Sequence, residues 1–131
     1  KMYKGKNKIF DAFCWHYDET ETLPQNSVVL SSNKMSNVQS ICFERQKSSV
    51  WAVQYHPEFS PMWIAGLMNQ REKILLKEKV YNSKKQFDNN KSFLMNYNDY
   101  KYDKIRDSYY DLINNELHTL ELSNWINELK D

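Results

Sequence analysis

The run Val50-Trp51-Ala52-Val53-Gln54-Tyr55-His56-Pro57-Glu58 reads as an apolar strand that delivers an imidazole and a carboxylate at its end. In an extended chain residues i and i+2 project to the same side, so this spacing brings His56 and Glu58 within hydrogen-bond reach of each other. Pro57 fixes its own φ, biases His56 toward extended backbone and lacks the N–H that would continue a sheet ladder, so the strand is expected to stop at the pair. A glutamate accepting from one imidazole nitrogen sets the tautomer and leaves the other nitrogen free to take a proton. That is the base-and-orienter half of a nucleophilic triad, whose third member is a Ser or a Cys.

A second segment lies upstream, Phe10-Asp11-Ala12-Phe13-Cys14-Trp15-His16-Tyr17-Asp18-Glu19-Thr20-Glu21-Thr22-Leu23-Pro24. It resembles the loop His-x-Asp-x-Val-x-x-Leu-Pro of class I glutamine amidotransferases. Two strand-like runs follow, Ser27 to Ser32 and Val38 to Glu44, and then Gln54-Tyr55-His56-Pro57-Glu58-Phe59, which is similar to a signature of the same family. Both motifs stand in the family's order and at about its separation, and the likeness covers residues 5 to 80 and is nearest the GMP-synthase glutaminase-like subgroup. The resemblance implies an α/β fold, the C-terminal part of a three-layer flavodoxin-like domain. It implies glutamine as substrate, His56 as general base and Glu58 as its orienting carboxylate, with neither cofactor nor metal. By the same resemblance Trp15, His16, Tyr17 and Asp18 border the glutamine pocket, although Tyr17 stands where many members carry glycine. Without the resemblance, Trp15 and Tyr17 read as packing residues and Asp18 as a turn cap.

The family's nucleophile is a cysteine on a sharp strand-to-helix turn, Gly-x-Cys-x-Gly, where small neighbours permit the backbone strain and nearby N–H groups bind the oxyanion. Neither Gly5 nor Gly66 flanks a cysteine here, and Cys14 and Cys42 lie among aromatic and β-branched residues. Each is therefore expected to behave as a small buried hydrophobe rather than as a thiolate. With Lys1 at its start, the chain is expected to be the C-terminal portion of a longer protein, its N-terminal half or a separate polypeptide supplying the sulfur.

Composition narrows the classes further. Eighteen basic and 17 acidic residues leave a net charge of +1, without the clustered positive charge a nucleic-acid surface needs. Lys4, Lys6 and Lys8 read as a solvated basic loop. A mean hydropathy of −0.83 and the absence of a long apolar run argue against a membrane span. Two cysteines without Cys-x-x-Cys spacing point to neither a disulfide scaffold nor zinc, and a cytoplasmic location is the default. A metal shared by His16, His56, Asp18 and Glu58 is chemically allowed but not favoured by the spacing.

The period changes near residue 60. Before it, strand signals alternate with polar turns at Pro24-Gln25-Asn26 and Gln46-Lys47-Ser48-Ser49. After it, Ser60 and Pro61 read as N-cap and first helical residue, with Ile64, Leu67, Met68 and Leu75 along one face and Lys73, Lys77 and Lys79 in the last turns. The chain thus divides into residues 1–80, the amidotransferase-like portion, and residues 81–131, a helical extension. That extension predicts a weak helix from Lys84 to Met95 and two further helices marked by Ile105, Tyr109, Leu112 and Ile113 and by Leu122, Trp125, Ile126 and Leu129, their stripes read as core packing. His118 reads as a surface or capping residue. Asn124-Trp125-Ile126 resembles the end of GMP-synthase-like chains, and the tail is expected to offer a docking surface for a synthase partner or for a second copy. Two alternatives stand beside a glutaminase. One is a γ-glutamyl peptide hydrolase, which shares a similar Trp-His-x-Asp-Glu loop, and the other is a non-catalytic partner-binding homologue.

Overall fold

A computed structural model describes residues 1–97 and 109–130. Three antiparallel strands, β1 (Val28–Ser31), β2 (Ser40–Arg45) and β3 (Ser48–Val53), form a sheet in the order β1-β2-β3. Their β-branched and aromatic residues suit a pleated, half-buried surface. The β2–β3 hairpin pairs Arg45 with Ser48 and Cys42 with Trp51. Its loop is therefore Gln46-Lys47 alone, with Gln46 in left-handed backbone at φ 56°. Ser48 and Ser49, expected in the turn, open β3 instead, because a two-residue loop lets the ladder run to its end.

Helix α1 (Pro61–Lys77) starts where the sequence places it: Ser60 is extended, and its Oγ accepts from the Trp63 amide at 3.2 Å. Its end differs. Lys79 lies beyond the helix at φ 57°, and the Val80 and Lys79 amides donate to the Leu75 and Leu76 carbonyls at 3.0 and 3.2 Å. These bonds form a Schellman cap with lysine in the position that glycine fits best. Helix α2 (Lys84–Met95) matches its predicted range and is capped by Ser83, whose Oγ accepts from the Gln86 amide at 3.1 Å. Ile64, Met68 and Leu75 of α1 and Phe87 of α2 form the buried core together with Phe13 and Leu112.

The tail departs from its sequence reading. It contains α3 (Tyr110–Ile113), α4 (Asn115–His118) and α5 (Leu120–Glu128). Asn114 divides α3 from α4 because its Oδ1 accepts from the Glu116 and Leu117 amides, both at 3.1 Å, and so opens a new helix. Ile105, marked for the first tail helix, lies outside the described residues. The α5 stripe is not core: Trp125, Ile126 and Leu129 are exposed, whereas Glu121 is 3% exposed. His118 is buried, not a surface residue. Among the described residues no helix is long and apolar enough to cross a membrane.

Candidate active site

Beyond β3 the chain stays extended but changes partners. The Gln54 amide donates to the Gln39 carbonyl at 2.8 Å, and the His56 amide to the Phe13 carbonyl at 2.7 Å. The strand that carries the imidazole is thus tied first to the sheet and then to the segment before Trp15. His56 to Phe59 then form a turn in which the Phe59 amide donates to the His56 carbonyl at 3.3 Å. Proline is favoured at the second position of such a turn, where Pro57 sits. The two side chains therefore meet through a turn rather than through the pleat of a strand.

His56 Nδ1 lies 2.8 Å from Glu58 Oε1. A carboxylate can only accept, so Nδ1 carries the proton and Nε2 presents its lone pair. Among the described residues no group hydrogen-bonds to that nitrogen. The imidazole lies flat against Phe59, with ring centroids 4.0 Å apart and planes within 2°. Phe59 was not singled out from sequence, although its place directly after the Pro-Glu pair was visible. Side-chain exposures of 27% for His56 and 52% for Glu58 put the pair at the surface, within reach of an added group.

The Trp15–Asp18 loop is bound to the same strand end. Gln54 Nε2 donates to the Asp18 carbonyl at 2.6 Å, and His16 Nδ1 bonds to that carbonyl at 2.9 Å. His16 Nδ1 therefore carries the proton, and its Nε2 accepts from Gln39 Nε2 at 3.4 Å. Gln39 Oε1 in turn accepts from the Cys14 thiol at 3.8 Å. Hydrogen bonds thus run from Cys14 through Gln39 and His16 to Asp18 and Gln54. Gln54 Oε1 is buried, with no partner among the described residues.

Cys14 is exposed rather than buried as expected, its neighbours Phe13 and Trp15 being the residues of this segment that pack in and against the core. Desolvation by its neighbours pushes its thiol above the ordinary cysteine value, opposite to the activation a nucleophile needs. Cys42 is half-buried in β2, paired with Trp51.

Two cavities flank the segment that carries Cys14. One, of about 600 Å³, is lined by Trp15, His16 and Tyr17 together with Ile64, Arg71 and Leu94. The other, of about 650 Å³, is lined by Tyr3, Lys6, Ser31, Gln39 and Tyr55. Trp15 also packs against the core, whereas Tyr17 and Asp18 are exposed. Neither cavity is lined by His56 or Glu58. The structure thus joins His56 to Glu58 and ties the loop to their strand, while neither member of the pair lines the apolar space beside the loop.

Residues 1–65 match the family described as glutamine amidotransferase class-I. The chain is also 32% identical over 80 residues to a γ-glutamyl-L-1-hydroxyisopropylamide hydrolase from a Pseudomonas species, an alignment covering 61% of this chain and 27% of that protein. The chain thus spans about a quarter of the length of the curated relative it matches. No solved structure matches it. These matches support a relationship to class I glutamine amidotransferases, and the antiparallel sheet with its helices is consistent with a mixed α/β fold of that type.

Proposed function

We propose that this chain supplies the His-Glu half of a Cys-His-Glu triad for hydrolysis of the γ-amide of glutamine, releasing glutamate and ammonia. The observation that carries the reading is the 2.8 Å contact between His56 Nδ1 and Glu58 Oε1, with Nε2 left to face a reacting group. The sulfur comes from a segment outside these 131 residues, since neither Cys14 nor Cys42 stands in a nucleophile turn. His56 Nε2 takes the proton of that segment's thiol, and the resulting thiolate attacks the amide carbon. His56, protonated at Nε2, gives that proton to the departing ammonia, and the acyl group remains as a γ-glutamyl thioester. His56 then takes a proton from water as the water attacks the thioester and passes it to the departing sulfur, so that glutamate leaves and the thiol is restored. Glu58 steadies the imidazolium in both steps.

The setting in this reading is the three-layer α/β domain of the family, with residues 1–80 as its later portion and the tail appended. Gln54 through Phe59 and Asn124-Trp125-Ile126 support the GMP-synthase-like subgroup, and Trp15 to Asp18 border the substrate. A synthase partner or a second copy would receive or share the ammonia.

A second reading is hydrolysis of a γ-glutamyl alkylamide, the substrate class in the name of the Pseudomonas relative. It is supported by the 32% identity over 80 residues to that relative, a stretch as long as the amidotransferase-like portion of this chain. The test assays the protein together with the nucleophile-bearing polypeptide on glutamine and on a γ-glutamyl alkylamide. Turnover of either substrate that falls about 10²- to 10⁴-fold in His56→Ala supports the triad, and near-normal turnover in that variant removes it. The preferred substrate decides between the readings.

A further inference from the structure

The Gln54 amide, the His56 amide and, between them, the side chain of Tyr55 tie down the chain between β3 and the site. Tyr55 is 3% exposed, and its hydroxyl donates to Glu121 of α5, 66 residues away. Glu121 also pairs with Lys6, and both side chains are almost wholly buried, at 3% and 2% exposure. The Lys6 ammonium lies 4.4 Å from the centroid of the Phe10 ring, while the Tyr3 hydroxyl lies 2.8 Å from that of Tyr55 and 2.6 Å from Ser40 Oγ. Asn124 of α5 donates to the Met2 and Lys4 carbonyls at 2.8 and 3.0 Å. The start of the chain, its last helix and the residue before His56 are thus joined through one carboxylate.

A charge this deeply buried is retained at a cost in desolvation, and a well-packed apolar pair would often be at least as stable. What an apolar pair cannot do is accept a hydrogen bond from Tyr55.

We propose that Glu121 is a positioning residue for His56: through the Tyr55 hydroxyl it fixes the segment that aims the imidazole, making the C-terminal helix part of the site's support. The importance of that support rests on the reading of His56 as general base given above, but the positioning can be read without any turnover.

Two paired variants separate the hydrogen bond from the charge. Lys6→Met with Glu121→Gln removes both charges and keeps an acceptor for Tyr55, whereas Lys6→Met with Glu121→Leu removes both charges and the acceptor. Amide hydrogen exchange at His56 and the ¹⁵N pattern of its ring nitrogens are measured against amides of β2 and α1. The Gln pair is expected to keep the wild-type protection and tautomer pattern. The Leu pair is expected to speed exchange at His56 about tenfold or more beyond any change in the reference amides. Equal behaviour of the two pairs, whether both are like wild type or both disturbed, overturns the proposal. Should the pairs fail to fold, Tyr55→Phe decides, since it deletes one hydroxyl and no charge: faster exchange at His56 upholds the proposal, and unchanged exchange overturns it. Loss of turnover in His56→Ala bears only on the catalytic reading, so the two failures are distinguishable.

Discussion

Glu121→Leu should be among the most damaging single substitutions in this chain, and its cost should nearly vanish when Lys6 is changed to Met as well. The single change strips the carboxylate from a lysine whose side chain is 2% exposed, leaving a buried cation over the rings of Phe10 and Tyr55. Removing one partner of a buried pair typically costs about 3–5 kcal/mol. The Tyr55 hydroxyl loses its acceptor but keeps Tyr3 at 2.8 Å, which holds that part of the cost to the low end of the roughly 1–3 kcal/mol for an unmade buried hydrogen bond. Lys6→Met alone leaves the opposite orphan, a buried carboxylate whose Oε2 already has no partner among the described residues. The double variant buries two apolar chains in the same space and should return to within about 1–2 kcal/mol of wild type. Urea unfolding of the four proteins closes the cycle, with an expected coupling of about 3 kcal/mol or more. Additive single effects would mean instead that water or another group already solvates each charge, and that the two are not a coupled pair.

Two further predictions concern elements the function does not use. Lys79→Gly should stabilise the protein by about 0.5–1 kcal/mol in the same unfolding assay, because φ 57° strains a lysine and the gain exceeds the extra freedom of glycine in the unfolded chain. Burial lowers the His118 pKa from its ordinary value, and its Nδ1 is buried with no partner among the described residues. A lowered folded-state value means that the unfolded chain takes the proton first. Stability should therefore be full above about pH 6.5 and fall as pH drops toward the folded-state value. His118→Phe should flatten that acid limb, and an unchanged slope would contradict the assignment.

What the sequence made legible was local. Ser60 and Pro61 mark the start of α1, because a cap is written within four residues of where it acts; the Ser83 cap of α2 was equally local but was not read. The His56–Glu58 contact was readable for the same reason, although the mechanism is a turn at Pro57 rather than a continued pleat. Contacts across the chain were not readable. Lys6 and Glu121 are 115 residues apart, so each looked like an ordinary surface charge. His118 gave no sign of burial for the same reason. The apolar stripe on α5 misled in the other direction, since Trp125, Ile126 and Leu129 repeat with helical spacing yet stay exposed while the polar Glu121 and Asn124 face the body of the protein. Periodicity reports that a helix has an apolar face and not whether anything covers it.

In the proposed reaction His56 and Glu58 act as a single device. The most direct measurement is the rate of γ-amide hydrolysis, in the presence of the nucleophile-bearing polypeptide, for His56→Ala, Glu58→Gln and the two combined. If Glu58 serves only to hold and charge-balance the imidazole, its loss alone slows turnover less than loss of His56, and the combined variant is no slower than His56→Ala. Multiplying penalties, with the double variant slower than His56→Ala by the full Glu58 factor, would show that the carboxylate works apart from the histidine and would contradict the account.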